Sequence, residues 1–152
     1  ARAYMAEAGV DDRVTVMDLV PSYWREVVRW LESHRGDTSG VVPPSLRLML
    51  SASEPLDPAL AARWQALGLR ATIVNMYGQT ETTGIVSTYV LPPAEKAAPE
   101  RGVPVGTPIR GMAWTIVDPV GRPVPVGAAG ELVVEGPCVG LGYVGRAGGH
   151  SG

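Results

Sequence analysis

The chain is short of lysine, cysteine and histidine, and each shortage closes off a class of function. Of thirteen basic residues, twelve are arginines and only Lys96 is a lysine. With net charge −2 and both signs mixed along the chain, no basic stripe is present to grip a phosphate backbone, so nucleic-acid binding has little support. The single cysteine, Cys138, excludes an internal disulfide. With no signal-peptide pattern, this points to a reducing, cytoplasmic setting. The two histidines, His34 and His150, lie too far apart in sequence and context to suggest a metal pair. No apolar run approaches the roughly 20 residues that span a bilayer, so no membrane partner is expected.

What the chain does have is glycine and proline, 19 and 14 residues, set between clear apolar runs. That pattern reads as many turns in a folded domain, not as disorder. A helix face at Tyr4, Met5 and Ala8 comes first. Val14-Thr15-Val16-Met17 reads as a buried strand. Ser22 is a candidate N-cap for a helix burying Trp24, Val27, Val28 and Leu31. After a loop at 36–40 comes the strand Leu46–Leu50. Asp57-Pro58 then opens a helix that buries Leu60, Trp64 and Leu67 and stops at Gly68. Ala71–Asn75 is a third strand. This alternation argues for an α/β fold: a parallel sheet with packed helices. Beyond about residue 100 the pattern changes to hairpins. Ala113–Asp118 and Glu131–Glu135 read as strands of a small β-rich lobe, with Trp114 on a buried face. The expected division is 1–90 for the α/β part, 91–101 for a polar surface connection carrying Lys96, 102–146 for the β-rich lobe, and 147–152 for a linker-like tail. Both ends have the look of joined or cut chain.

In open α/β sheets, ligands bind beyond the carboxyl ends of the strands. Three loops leave such ends: 18–22, 51–55 and 75–81. The third has the sharpest chemistry. Tyr77 offers a flat face for a base, and Asn75 an amide that both donates and accepts. Gly78 allows a tight turn. Thr80 offers a hydroxyl to a phosphate oxygen, and Glu81 a hard oxygen of the kind Mg²⁺ takes beside phosphates. The same residues also suit an ordinary turn followed by a helix start. Ser51 and Ser53 lack the glycine-flanked setting of a hydrolase nucleophile. Cys138 has no base nearby in sequence and reads as structural. His34 reads as a solvated helix end.

Two stretches carry a family likeness. They are Asn75-Met76-Tyr77-Gly78-Gln79-Thr80-Glu81, and Gly130-Glu131-Leu132-Val133-Val134-Glu135-Gly136 running on to Gly142-Tyr143, after Gly121-Arg122-Pro123. With Val16 to Ser22 and Leu46 to Leu56 in the same order, the chain resembles the adenylate-forming superfamily. That group includes nonribosomal peptide synthetase adenylation domains, acyl- and aryl-CoA ligases, and luciferase. The resemblance implies an internal piece of the large AMP-binding subdomain, with ATP/AMP and Mg²⁺ as cofactors. It implies a small carboxylic acid as substrate and phosphopantetheine or CoA as thiol acceptor. The rest of the adenylation domain and a carrier protein would be partners. Asn75, Tyr77, Gly78, Thr80, Ser53 and Glu54 would hold the nucleotide, and Glu81 the metal, with Thr80 and Glu81 catalytic. Asp18, Leu50, Ala52, Met76, Gly84 and Ile85 would line the acyl pocket. Asp18 would either recognise a polar group of the acid or stand outside the pocket.

The chain also departs from the family pattern. Ser51-Ala52-Ser53-Glu54 stands where Gly-Gly-Glu is common, and Cβ atoms restrict the backbone there. The family's phosphate loop, ribose-binding aspartate and C-terminal lysine have no counterpart, and Lys96 is wrongly placed to serve. The expected consequence is a chain that is inactive alone. The rival expectation is a non-catalytic, adenylation-like module that serves as a scaffold.

Overall fold

The computed structural model describes residues 14–34, 42–93 and 102–145. The helix expected near Tyr4, the loop at 36–40, Lys96 and the tail from 147 lie outside the described residues.

Short apolar runs separated by two amphipathic helices build a five-stranded sheet. Strand β1 (Val16–Asp18) leads into helix α1 (Pro21–Ser33), then strand β2 (Leu48–Ser51), helix α2 (Pro58–Ala66) and strand β3 (Thr72–Gln79). These three strands are parallel, with Asp18 beside Leu50 and Leu50 beside Val74. A single 3₁₀ turn at Thr80–Thr82 reverses the chain into strand β4 (Gly84–Val90), which pairs antiparallel with β3. The short strand β5 (Thr107–Pro108) pairs antiparallel with β4. The sheet is therefore mixed. The expected parallel pairing is found for β1–β3, and β4 adds an antiparallel partner because a tight turn can join only antiparallel neighbours. Strands β6 (Ala113–Val117) and β7 (Glu131–Glu135) form a separate hairpin, the small β-rich lobe.

Both helices cover one face of the large sheet. Trp24, Val27, Val28 and Leu31 of α1 meet Leu60, Ala61 and Trp64 of α2 over Met49 and Ile73. Burying each such large side chain is worth about 1.5–3 kcal/mol. The two indoles sit edge to face, with centroids 5.6 Å apart. Their Nε1–H groups are fully buried with no hydrogen-bond partner, at a cost of about 1–3 kcal/mol each. The bidentate ion pair of Arg63 with Glu32 ties the two helices at the surface. That hydrogen bond holds the Glu32 carboxyl below its ordinary value, against a small desolvation.

Asp57 caps α2 as expected, accepting from the Ala59 amide at 2.8 Å with Pro58 in the first turn. Helix α1 differs. Ser22 lies inside the first turn; the N-cap is Val20, and its side chain makes no cap bond. At the other end of α1, His34 stacks on Trp30 with centroids 3.9 Å apart, in keeping with a solvated helix end. Trp114 is only half-buried; among the described residues no helix lies over the β6–β7 hairpin.

Candidate functional site

The loops at the carboxyl ends of β2 and β3 build the site. Strand β3 does not stop at Asn75: it runs through the whole Asn75–Gln79 stretch. Two glycines allow this. A Cβ on Gly78 would lie 1.9 Å from the Gly84 carbonyl oxygen across the hairpin. Gly84 itself has φ +104° and starts β4 at the exit of the turn. The β3–β4 register shifts between Tyr77 and Gly78, so the ladder carries a bulge inside the motif. Thr82 is buried in the turn, where its hydroxyl accepts from the Gln79 amide and lies 3.0 Å from the Gln79 and Gly84 carbonyls.

Alternation along the strands sorts the site residues by face. Ile73 and Asn75 point toward the helices and are buried. The Asn75 amide nitrogen donates to the Pro104 carbonyl at 2.9 Å. Ser87 on β4 similarly donates to the Val105 carbonyl at 2.8 Å. These bonds fasten the segment leading to β5 onto the large sheet. Asp18, Leu50 and Met76 fall on the opposite face. Leu50 and Met76 are half-buried and Asp18 is exposed.

A cavity of about 560 Å³ opens where the β2–α2 loop faces the β3–β4 turn. Ser53, Gly78, Gln79, Thr80, Thr83, Gly84 and Ile85 line it. Five expected site residues therefore meet there: Ser53, Gly78, Thr80, Gly84 and Ile85. Asp18, Leu50, Ala52, Glu54, Asn75, Met76, Tyr77 and Glu81 are not among its lining residues. The sequence reading missed Gln79 and Thr83. Gln79 sat unremarked inside the motif, and Thr83 is placed by a left-handed turn residue, φ +55°, that nothing local announces.

The loop 51–55 is fixed at two points. Ser51 donates from its hydroxyl to the Leu19 carbonyl at 2.9 Å. Three residues on, both Glu54 carboxylate oxygens accept from Ser22, one from its amide at 2.9 Å and one from its hydroxyl at 2.7 Å. Between them Ser53 has φ +71°, a conformation that costs a residue with a Cβ of order 1–3 kcal/mol.

The glycine-rich segment of the small lobe packs on the turn after β3. The Gly140 amide donates to the Glu81 carbonyl at 2.7 Å, and the Thr83 hydroxyl to the Cys138 carbonyl at 2.9 Å. The Tyr143 hydroxyl donates to Glu81 Oε1. That bond to Glu81 raises the Tyr143 phenol above its ordinary value; the nearby negative charge and slight desolvation act in the same direction. Cys138 contributes its carbonyl here, in line with a structural reading. Among the described residues no group of three His, Cys, Asp or Glu could cage a metal. The Glu81 carboxylate, which also accepts from Tyr143, is of the hard-oxygen type that magnesium takes beside waters and phosphates. Among the described residues no helix is long and apolar enough to cross a membrane.

Residues 2–144 match the model of the family described as AMP-binding enzyme. The chain is 41% identical over 144 residues to CymA of Salinispora arenicola, whose full name makes it a probable nonribosomal peptide synthetase. That match covers 95% of this chain and 2% of CymA. Peramine synthetase A of Epichloe festucae is 38% identical over 138 residues, covering 90% of this chain and 4% of that protein. Among solved structures, the N-terminal subdomain of Klebsiella oxytoca NpsA in complex with 3-hydroxybenzoyl-AMSN superposes with TM-score 0.75 at 26% identity. It covers 95% of this chain and 34% of the NpsA chain. VinN superposes with TM-score 0.70 at 28% identity, over 95% of this chain and 33% of VinN. The chain thus spans a few per cent of the synthetases it matches and about a third of the structural neighbours.

Proposed function

Because the chain belongs to the AMP-binding enzyme family, we propose that it supplies part of the nucleotide and acyl site of an enzyme that activates a carboxylic acid with ATP. In that reaction a carboxylate oxygen of the acid attacks the α-phosphorus of ATP. An acyl-adenylate forms and pyrophosphate leaves. A thiol, either a carrier phosphopantetheine or CoA, then attacks the acyl carbon, and AMP leaves. The observation that carries this reading is the cavity that gathers Ser53 from the β2–α2 loop and Gly78, Thr80, Gly84 and Ile85 from the β3–β4 hairpin. The probable nonribosomal peptide synthetase among the relatives favours a carrier-bound thiol as acceptor.

The chain's own residues would divide the work. Thr80 would donate from its hydroxyl to a phosphate oxygen. Glu81 would hold magnesium, which offsets the repulsion between carboxylate and phosphate; that repulsion is about 4 kcal/mol for unit charges 4 Å apart at an effective dielectric near 20. Leu50, Met76 and Ile85 would present apolar surface to the acid. Tyr77 and Asn75 would border the base, Asn75 as a buried residue whose amide also fixes the backbone at Pro104. Placed cations and donors are usually the largest catalytic term in such a step, and the chain's single lysine, Lys96, lies away from these loops in sequence.

Equilibrium binding of AMP and of Mg·ATP to the chain tests the reading, beside ATP–pyrophosphate exchange. Binding with little exchange is expected. No nucleotide binding would remove the cavity from consideration, and full exchange would refute the dependence on groups outside this chain. The scaffold reading has one observation on its side: Glu81 is engaged by Tyr143 and Gly140 of the small lobe. Normal folding with no nucleotide binding is the outcome that would favour it.

A further inference from the structure

The geometry points to Glu54 as a positioning residue: by gripping the first turn of α1 it holds Ser53 in its left-handed conformation, and so sets one wall of the cavity without touching the ligand. The inference rests on the reading of that cavity as a nucleotide site.

Two fastenings enclose Ser53. On one side the buried Ser51 hydroxyl is bonded to the Leu19 carbonyl. On the other, Glu54 spends both carboxylate oxygens on the Ser22 amide and hydroxyl. Both fastenings run to the same short stretch, residues 19–22. The chain must turn sharply between them, and Ser53 takes the turn at φ +71°. Serine does not favour that region, so the conformation persists only where its surroundings impose it. Ser51 alone cannot impose it, because a single anchor leaves the following residues free to rotate. The carboxylate is a suitable second anchor: α1 has no side-chain cap of its own, and a negative group satisfies amides at a helix start. Ser53 is the one residue of this loop that lines the cavity, opposite Gly78, Thr80 and Gly84. Releasing Glu54 would let Ser53 relax toward negative φ and move that wall.

The test is rescue by glycine, which adopts positive φ freely. AMP is titrated by calorimetry into the wild-type chain, Glu54→Ala, Ser53→Gly and the double variant. Glu54→Ala should weaken AMP binding about tenfold, equivalent to ~1.4 kcal/mol. Ser53→Gly in that background should bring affinity back to within about threefold of wild type. Ser22→Ala, which removes one of the two donors, should weaken binding less and in the same direction. Unchanged affinity in Glu54→Ala overturns the inference. So does a double variant no better than Glu54→Ala, since a side chain that contacts the nucleotide cannot be replaced by a glycine next door. If the wild-type chain binds no AMP, the nucleotide reading fails, and the brace is judged by urea unfolding of the same four proteins. Ser53→Gly should then raise the midpoint in the wild-type background and not in Glu54→Ala. Equal gains in both would overturn it.

Discussion

Replacing Gly78 by alanine should unfold the site from the inside. The position does not have positive φ; what it needs is space. An added Cβ would lie 1.9 Å from the Gly84 oxygen, 2.5 Å from its carbonyl carbon and 2.8 Å from the Ile85 Cα. All three are backbone atoms, so no side chain can swing away. Ordinary carbon–oxygen contacts begin near 3.3 Å, so β3 and β4 would have to part by roughly 1.4 Å. That separation breaks one or two ladder hydrogen bonds around the Gly78–Ile85 and Gln79–Gly84 pairs, at about 0.5–1.5 kcal/mol each. Overpacking adds about 1–3 kcal/mol. The expected loss is therefore ~1.5–6 kcal/mol. With a urea dependence near 2 kcal/mol per molar, the midpoint falls by about 1–3 M. Gly84→Ala is the control. It has φ +104° but nothing within 4 Å of its Cβ position, so its loss should be that of the strained φ alone, about 1–3 kcal/mol. Chemical unfolding followed by circular dichroism would measure both. If Gly78→Ala unfolds within ~0.5 kcal/mol of wild type, below the range for a strained core change, the close approach is not what fixes this glycine. A ligand would then be the remaining reason for it.

Other expectations follow from single contacts. Glu81→Gln should weaken magnesium-dependent nucleotide binding by about tenfold or more, the usual loss when a metal site is disturbed; unchanged magnesium dependence, read by calorimetry with and without the ion, would remove Glu81 from the site. Asp57→Ala should cost about 1 kcal/mol by removing the side-chain cap at the start of α2, measured as a lowered urea midpoint. The Arg63–Glu32 pair should make stability acid-sensitive. Glu32 is lowered in the folded chain, so its contribution is complete above the ordinary carboxyl value of 4.5 and is lost as pH falls through the lower folded value. The melting difference between wild type and Arg63→Ala should accordingly shrink below that pH; a constant difference would show that the pair is not coupled to the proton. Trp64→Phe should cost less than the roughly 3–5 kcal/mol typical of truncating a buried aromatic to alanine, because it also removes an unpaired indole N–H.

The parts of the fold legible in the sequence were those encoded within one element. The period of Trp24, Val27, Val28 and Leu31 gave the buried face of α1, and Asp57-Pro58 gave the start of α2. The site was legible as a set of residue types around 75–85, and not as a shape. Asn75 was taken as a strand end because a motif rich in polar groups reads as loop. In the folded chain Gly78 lets β4 come close enough to keep that stretch in the ladder, a fact about a partner strand and not about the stretch itself. The cap of α1 was misplaced to Ser22 for the same reason: the group that satisfies that turn arrives from Glu54, thirty-two residues away. Trp114 was read as core because alternation reports which face a residue takes, and not whether anything covers that face.

The turn at Thr80–Thr82 has a consequence for how the chain folds. Among the described residues, β3 and β4 are the only neighbours in the large sheet joined by so short a connection; β1–β2 and β2–β3 each wait for a crossover helix. Local hairpins close in about 1–10 μs, whereas parallel pairings must first bear the entropy of a long loop. The Asn75–Gly84 stretch should therefore be structured early, with mutations there slowing folding and mutations in β1 mainly speeding unfolding. The Asn75–Gly84 stretch would then also be the template on which the parallel half of the sheet, β2 and then β1, is laid down.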